Sequence, residues 1–362
     1  MPKFDEYKNE RRMEILSGIP LKPFNTFGIE ARAREFAVLD DEKDIEFLVD
    51  YHRGGMKKML ILGGGSNVLF TGDYHGLVVK INTKGRIITA EDNESVTIRA
   101  TAGEVWDDFV EYTVGMGWGG LENLSGIPGM VGSSPIQNIG AYGTEMKDNF
   151  VSLEAVDLCT GELTEFDAER CRFGYRDSIF KRALKDRMVI KGVTFRLSKK
   201  PACNLSYHAL KQTLAGYPVN ELTPAVIRNT VLEIRRSKLP DPAIAGNAGS
   251  FFKNPVVTSR LLEELKEQFP GIVSYPVQQS ENPVADCQPS AVNFKLAAGW
   301  LIEQCGWRGF REGDAGVHND QALVLVNFGN ASGIDILKLA EKIKNSVKDK
   351  FGIKLESEVN II

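Results

Sequence analysis

The chain has 362 residues, room for two or three domains, and its 43% hydrophobic and 25% charged residues are ordinary globular values. Lysine plus arginine number 44 against 48 aspartate plus glutamate, a net charge of −4 that argues against general binding of nucleic acid or of anionic membrane. No stretch approaches the roughly 20 apolar residues of a membrane span, residues 1–12 have no apolar run for a signal peptide, and five scattered cysteines (159, 171, 203, 287, 305) without Cys-x-x-Cys fit a reducing cytoplasm, not a disulfide framework or zinc site. Four histidines without a His-Glu-x-x-His give metal catalysis little support.

In chain order, residues 1–18 read as a solvated, charged lead-in. A helix is predicted over 41–52, with Ile45, Leu48, Val49 and His52 on one face. A buried strand over 58–62 runs into a glycine triplet, and a strand over 77–81 closes a first unit, 19–80. Val96, Ile98 and Ala100 alternate as in a strand, and 104–116 has helical period. Strands return at 150–158 and 188–197, so 81–200 reads as an α+β unit. The character changes after Pro201: a connecting segment over 201–240 holds a predicted helix, 222–236, and ends in the rigid Leu239-Pro240-Asp241-Pro242. In the last unit, 241–351, helices are predicted at 259–268, 294–304 and 332–350 around a buried strand at 322–328. The tail, 352–362, is strand-like from Ile353, which would put Glu356 and Glu358 on one face.

The chain is unusual in its 35 glycines, about one residue in ten, and in their clustering. Gly63-Gly64-Gly65-Ser66-Asn67 is either a tight turn or a nest of amides converging on an anion. It is not a Rossmann fingerprint, and no Gly-Lys-Ser/Thr occurs anywhere, so a P-loop is excluded. Residues 115–143 hold nine glycines in 29 residues and, between the two end glycines, one charged residue, Glu122. A phosphate held there would rest on backbone donors and small hydroxyls, not on Lys or Arg, which suits a diphosphate buried with a large cofactor. The alternative is a glycine-rich loop stiffened by Pro128 and Pro135.

Isolated residues say less. Arg176-Asp177 is either a surface ion pair or a carboxylate fork beside Tyr175. Ser250 is either a helix cap or a hydroxyl set against Phe251 and Phe252; with no Gly-x-Ser-x-Gly it does not read as a hydrolase nucleophile. His318 reads as a structural hydrogen bonder. The residues alone support a flavin- or nucleotide-binding α+β protein.

Six segments in order, 25–28, 61–67, 125–143, 174–181, 246–255 and 355–359, resemble the UDP-N-acetylenolpyruvoylglucosamine reductase family, type I, from about residue 20 to the end. The resemblance implies an α+β architecture: a two-subdomain FAD-binding unit of the vanillyl-alcohol-oxidase type and a separate α+β substrate-binding domain. It implies non-covalent FAD, NADPH as co-substrate, and reduction of UDP-N-acetylglucosamine enolpyruvate to UDP-N-acetylmuramate in peptidoglycan precursor synthesis. The family's catalytic residues fall on Arg176, Ser250 and Glu358. Its FAD loops fall on Gly63, Gly64, Gly65, Ser66 and Asn67, and on Gly126, Pro128, Gly129, Ser133, Gln137, Asn138 and Gly140. Tyr175 precedes the catalytic Arg, Tyr207 matches a tyrosine that closes over substrate, Lys238 and Asn254 match UDP-sugar contacts, and Tyr275 is a further candidate for that pocket. One departure is Ser357, where the family often has proline. A cytoplasmic monomer without metal, nucleic-acid or membrane partners is expected. The competing readings are another FAD oxidoreductase of the same flavin fold, acting on a sugar or alcohol, and a nucleotide-sugar-binding protein without turnover.

Overall fold

The computed structural model describes residues 13–55, 58–277 and 293–362. Cys287 and the first twelve residues of the lead-in lie outside them.

The first sheet orders its strands Leu16–Pro20, Arg32–Leu39, Tyr74–Ile81, Met59–Leu62. The last three run parallel, with Phe36 opposite Val78 and Leu60 opposite Val78 on the other side. Near-continuous apolar runs such as Leu77-Val78-Val79 suit a strand covered on both faces. The helix Ile45–Arg53 covers one face with Ile45, Leu48 and Val49 buried, and Gly63 begins at the carboxyl end of Met59–Leu62.

The second sheet is antiparallel throughout, in the order Leu163–Phe166, Phe150–Asp157, Met188–Ser198, Ser95–Thr101, Arg86–Glu91. The predicted alternation holds: Val96, Ile98 and Ala100 are buried opposite Leu197, Phe195 and Val193. The helix Trp106–Gly115 lies on this face, with Trp106 and Phe109 rings 5.9 and 5.4 Å from Phe195.

The remaining chain builds two three-stranded sheets, Val256–Thr258 with Asn293–Leu296 and Ser274–Pro276, and Arg311–Glu312 with Ala315–Val317 and Leu325–Asn327. The helix Gly333–Phe351 buries Ile336, Leu339, Ala340, Ile343 and Val347, the predicted stripe, and is capped by the reciprocal Ser332–Asp335 bonds. The core under this helix is continuous with the first sheet, since Phe27, Phe36 and Phe70 share one cluster with Phe251, Phe252 and Leu339. The C-terminus is stitched to the same place: Asn360–Ile361 pairs in parallel with Val68–Leu69.

Two expectations are corrected. Residues 294–304 are not one helix. Phe294 and Leu296 belong to the central strand Asn293–Leu296, paired on both edges, and helix begins only at Ala298, whose amide donates to Asn254 Oδ1 at 3.0 Å. The tail forms a ladder only at its last residues, Asn360–Ile361, and before them makes a single bridge, Ser357 to Phe252. The Lys253 and Glu358 amides bond to the Glu356 and Phe251 carbonyls across that bridge, and Glu358, paired with Arg176, is only 13% exposed where Glu356 is 77% exposed.

Candidate functional site

A cavity of about 940 Å3 opens where the two sheets, the connecting helix and the C-terminal tail meet. Its first wall is the loop after Met59–Leu62. Gly64, Gly65 and Ser66 line the cavity, and their amides have no hydrogen-bond acceptor among the described residues. Three successive unpaired amides form the concave donor set that suits an anion. Gly64 leaves almost no room for a side chain: a Cβ there would lie 3.0 Å from Gly129 Cα. The two glycine loops therefore pack backbone on backbone, tied by Ser66 Oγ donating to the Pro128 carbonyl at 3.0 Å.

The second wall carries Gly126, Pro128, Ser133, Gln137 and Gly140. Its entry is set by Asp107, whose Oδ1 accepts from the Gly126 amide at 2.6 Å. Arg228 grips the same carboxylate with both terminal nitrogens, at 2.5 and 3.0 Å. Burial opposes the Asp107 charge, but the Arg228 fork and the Gly126 amide outweigh it and hold the carboxyl below its usual range. Asp107→Ala leaves the buried Arg228 guanidinium only the exposed Glu111 carboxylate, at 3.8 Å, and is expected to cost about 2–3 kcal/mol in urea unfolding. A loss under about 1 kcal/mol would show the fork to be no more than a surface pair.

On the third wall, positive charge reaches the cavity from outside the glycine-rich segment: Arg235, Arg236 and Lys238 line it from the end of the helix Pro224–Lys238. Burial pulls the Arg235 guanidinium below the usual range, against the opposing pull of nearby Tyr142 and Asp107. Charge delivered across about a hundred residues of chain leaves no local trace in the glycine segment.

The fourth wall brings Arg176, Ser250 and Glu358 to one cavity. Arg176 sits in the tight turn Gly174–Asp177 with φ of 52°, a left-handed conformation unfavourable for a residue with a Cβ. Its terminal nitrogen donates to the Gly140 carbonyl at 2.6 Å. Its Nε lies 3.0 Å from Glu358 Oε1 as an ion pair, although the N–H is not aligned for a hydrogen bond and has no other acceptor. Its sequence neighbour Asp177 pairs with Arg182 instead. Ser250 is half-buried, bridged to Val324, and its Oγ has no hydrogen-bond partner among the described residues. Asn67 Nδ2 donates to Gln137 Oε1 at 2.9 Å and to the Glu358 carbonyl at 3.3 Å, joining loop and tail. His318 also lines the cavity and accepts from the Asp320 amide, a structural bond.

Several residues of the sequence pattern sit behind or beside this cavity. Asn138 is fully buried and spends its side chain on Glu145, the Gly174 carbonyl and the Lys147 amide, so it shapes the loop. Gly129 acts as the floor against Gly64. Tyr175 lies near Asn254 with its ring capped by Lys295 Nζ at 3.9 Å from the centroid, and burial pushes its hydroxyl pKa up. Tyr207 meets Tyr142 edge-on at 5.0 Å; burial, then the nearby Tyr275, raise its pKa. Tyr207 and Tyr275 are both exposed and do not line the cavity. Sequence reasoning missed Arg235, Arg236 and Lys295; their signal is spatial only. Among the described residues no group of three His, Cys, Asp or Glu side chains could hold a metal, and no helix is long and apolar enough to cross a membrane.

An amide cradle where the first and second sheets meet, beside an Arg–Glu pair and a hydroxyl uncommitted among the described residues, offers the donors a dinucleotide's diphosphate would need. Residues 34–167 match the family described as FAD binding domain, and the chain is an FAD-dependent oxidoreductase. Residues 241–362 match the family described as UDP-N-acetylenolpyruvoylglucosamine reductase, C-terminal domain. The chain is 48% identical over 343 residues to the UDP-N-acetylenolpyruvoylglucosamine reductase of Pseudomonas putida, covering 95% of this chain and 97% of that one. It is 46% identical over 351 residues to that of Flavobacterium johnsoniae, covering 97% and 100%. It has the fold of the crystal structure of UDP-N-acetylenolpyruvylglucosamine reductase from Thermus caldophilus, with a TM-score of 0.63 at 22% identity over 97% and 98% of the two chains. The chain belongs to the UDP-N-acetylenolpyruvoylglucosamine reductase family.

Proposed function

We propose that this protein reduces the enolpyruvyl ether of UDP-N-acetylglucosamine to the lactyl ether, giving UDP-N-acetylmuramate, with NADPH as reductant, in peptidoglycan precursor synthesis. The observation that carries this reading is that Arg176, Glu358 and Ser250 border the same cavity as the unpaired amides of Gly64, Gly65 and Ser66. When bound, FAD supplies the two-electron transfer between the nicotinamide and the enolpyruvyl double bond.

The protein's own groups do the rest. The cradle amides would hold the FAD diphosphate, with Arg235 and Arg236 adding charge nearby. Negative charge develops on C2 of the enolpyruvyl group and on its carboxylate, and Arg176, fixed by the Gly140 carbonyl and Glu358, would stabilise it where it appears. Ser250 would deliver the proton to C2 from its Oγ. Glu358, ion-paired to Arg176 through Oε1, would hold the guanidinium in place. Tyr175, Asn254, Lys238, Tyr207 and Tyr275 would hold the UDP-sugar. The free thiols of Cys159, Cys171, Cys203 and Cys305 support a reducing, cytoplasmic setting.

The test is anaerobic addition of UDP-N-acetylglucosamine enolpyruvate to protein bleached by NADPH. Return of the oxidised flavin spectrum with formation of UDP-N-acetylmuramate is expected. Protein that stays bleached, with full re-colouring by oxygen, would instead make it an oxidase of the same flavin fold.

A further inference from the structure

Lys181 ends the short 3-10 turn Ile179–Lys181, five residues after Arg176. It is half-buried, forms no ion pair among the described residues, and makes one hydrogen bond, from Nζ to Gln137 Oε1 at 3.2 Å. Burial, then the neighbouring Lys253 charge, push its ammonium below the ordinary lysine range. A cation placed at that cost beside a neutral amide needs a reason.

The reason lies on the other side of the amide. Gln137 Oε1 accepts from Lys181 and from Asn67 Nδ2, while Gln137 Nε2 points to Glu358 Oε1 at 3.4 Å. Turning the amide over would set its NH2 against two donors and its oxygen against the carboxylate. Lys181 and Asn67 thereby allow only one orientation, the one that offers a donor to Glu358. Glu358 Oε1 in turn contacts Arg176 Nε at 3.0 Å. The same segment is docked a second time, by Ser178 Oγ donating to the Ile136 carbonyl at 2.6 Å. One stretch of chain thus holds Arg176 on one side of Glu358 and the Gln137 amide on the other.

We propose that Lys181 is a positioning residue for the reduction, acting through Gln137 to hold the Glu358 carboxylate in register with Arg176. This rests on the reading of Arg176 and Glu358 as active-site groups. Lys181 does not line the cavity, so its loss should act on turnover more than on substrate binding.

The experiment uses the FAD-loaded full chain. Lys181→Met is expected to lower kcat about tenfold or more with KM for the UDP-sugar changed less than about threefold. Lys181→Arg, which keeps a long donor, is expected to restore most of the rate, and Lys181→Gln, too short to reach, is a second variant should the Met form fail to fold. In a Glu358→Gln background, Lys181→Met is expected to add almost nothing, because the group it positions is gone. A full further loss in that background, or equal damage to kcat, KM and FAD retention in every Lys181 variant, overturns the positioning role alone. Normal turnover by Glu358→Gln itself would bring down the broader reading of Glu358 and this inference with it.

Discussion

Replacing Ser250 with alanine is expected to leave the protein yellow, folded and reducible by NADPH at a normal rate, while reoxidation by the enolpyruvyl substrate slows about 10²-fold or more. The separation follows from how the residue is held. Its backbone is fixed by the bridge to Val324, by the Phe251 amide donating to the Leu323 carbonyl at 2.8 Å, and by the Glu358 amide donating to Phe251. None of this involves the side chain, whose Oγ is uncommitted among the described residues. Alanine therefore keeps the wall of the cavity and removes only the proton donor. Stopped-flow at the flavin absorbance resolves the two half-reactions. An oxidative half-reaction as fast as in the unmodified protein would take Ser250 out of the chemistry and leave it as a structural residue of the wall.

What the sequence makes legible is what short-range physics decides. The helix Ser259–Gln268 matches its predicted span, and Gly333–Phe351 differs from its prediction by one residue at each end, because apolar spacing and caps are local. The alternation of Val96, Ile98 and Ala100 signals a strand for the same reason. Residues 294–304 fail because Phe294 and Leu296 satisfy both periods, and only pairing with Val256–Thr258 and Ser274–Pro276 settles the matter. The tail fails similarly. A two-residue period is present, yet where the tail meets other chain, the bridge to Phe252 and the enclosure of Glu358 beside Arg176, depends on residues about a hundred or more positions earlier.

The site divides along the same line. The glycine clusters announce a cradle, since close backbone approach demands glycine wherever it occurs. The cations do not announce themselves: Arg235 and Arg236 read as the end of an ordinary helix until it is folded over the cavity. Arg176-Asp177 reads as a neighbouring pair, whereas each finds its partner elsewhere, Arg176 at Glu358 and Asp177 at Arg182. Recognition of six ordered segments supplied candidate identities for Arg176, Ser250 and Glu358; it carried no hint of the Lys181–Gln137 link, which is a property of side-chain orientation.

Gly65→Ala is expected to abolish FAD retention and to cost about 4 kcal/mol or more of stability, and Gly28→Ala to cost about 1 kcal/mol with FAD retained. The two glycines have nearly the same backbone, φ of 65° and 64°, so an alanine pays the same left-handed penalty at each. They differ in what surrounds them. A Cβ on Gly28 meets nothing within 4 Å, whereas one on Gly65 would sit 1.9 Å from the Phe24 carbonyl oxygen and 2.8 Å from its carbon. That carbonyl belongs to backbone and cannot swing aside. The Thr26 amide also holds Gly65 in place through its own carbonyl, at 3.1 Å. The loop must therefore move, and with it the amides of Gly64, Gly65 and Ser66 that form the cradle. Urea unfolding and titration of the apo-protein with FAD separate the two variants. If Gly65→Ala bound FAD as tightly and unfolded as late as Gly28→Ala, the close packing of this loop on residues 24–26 would not be what shapes the cofactor site.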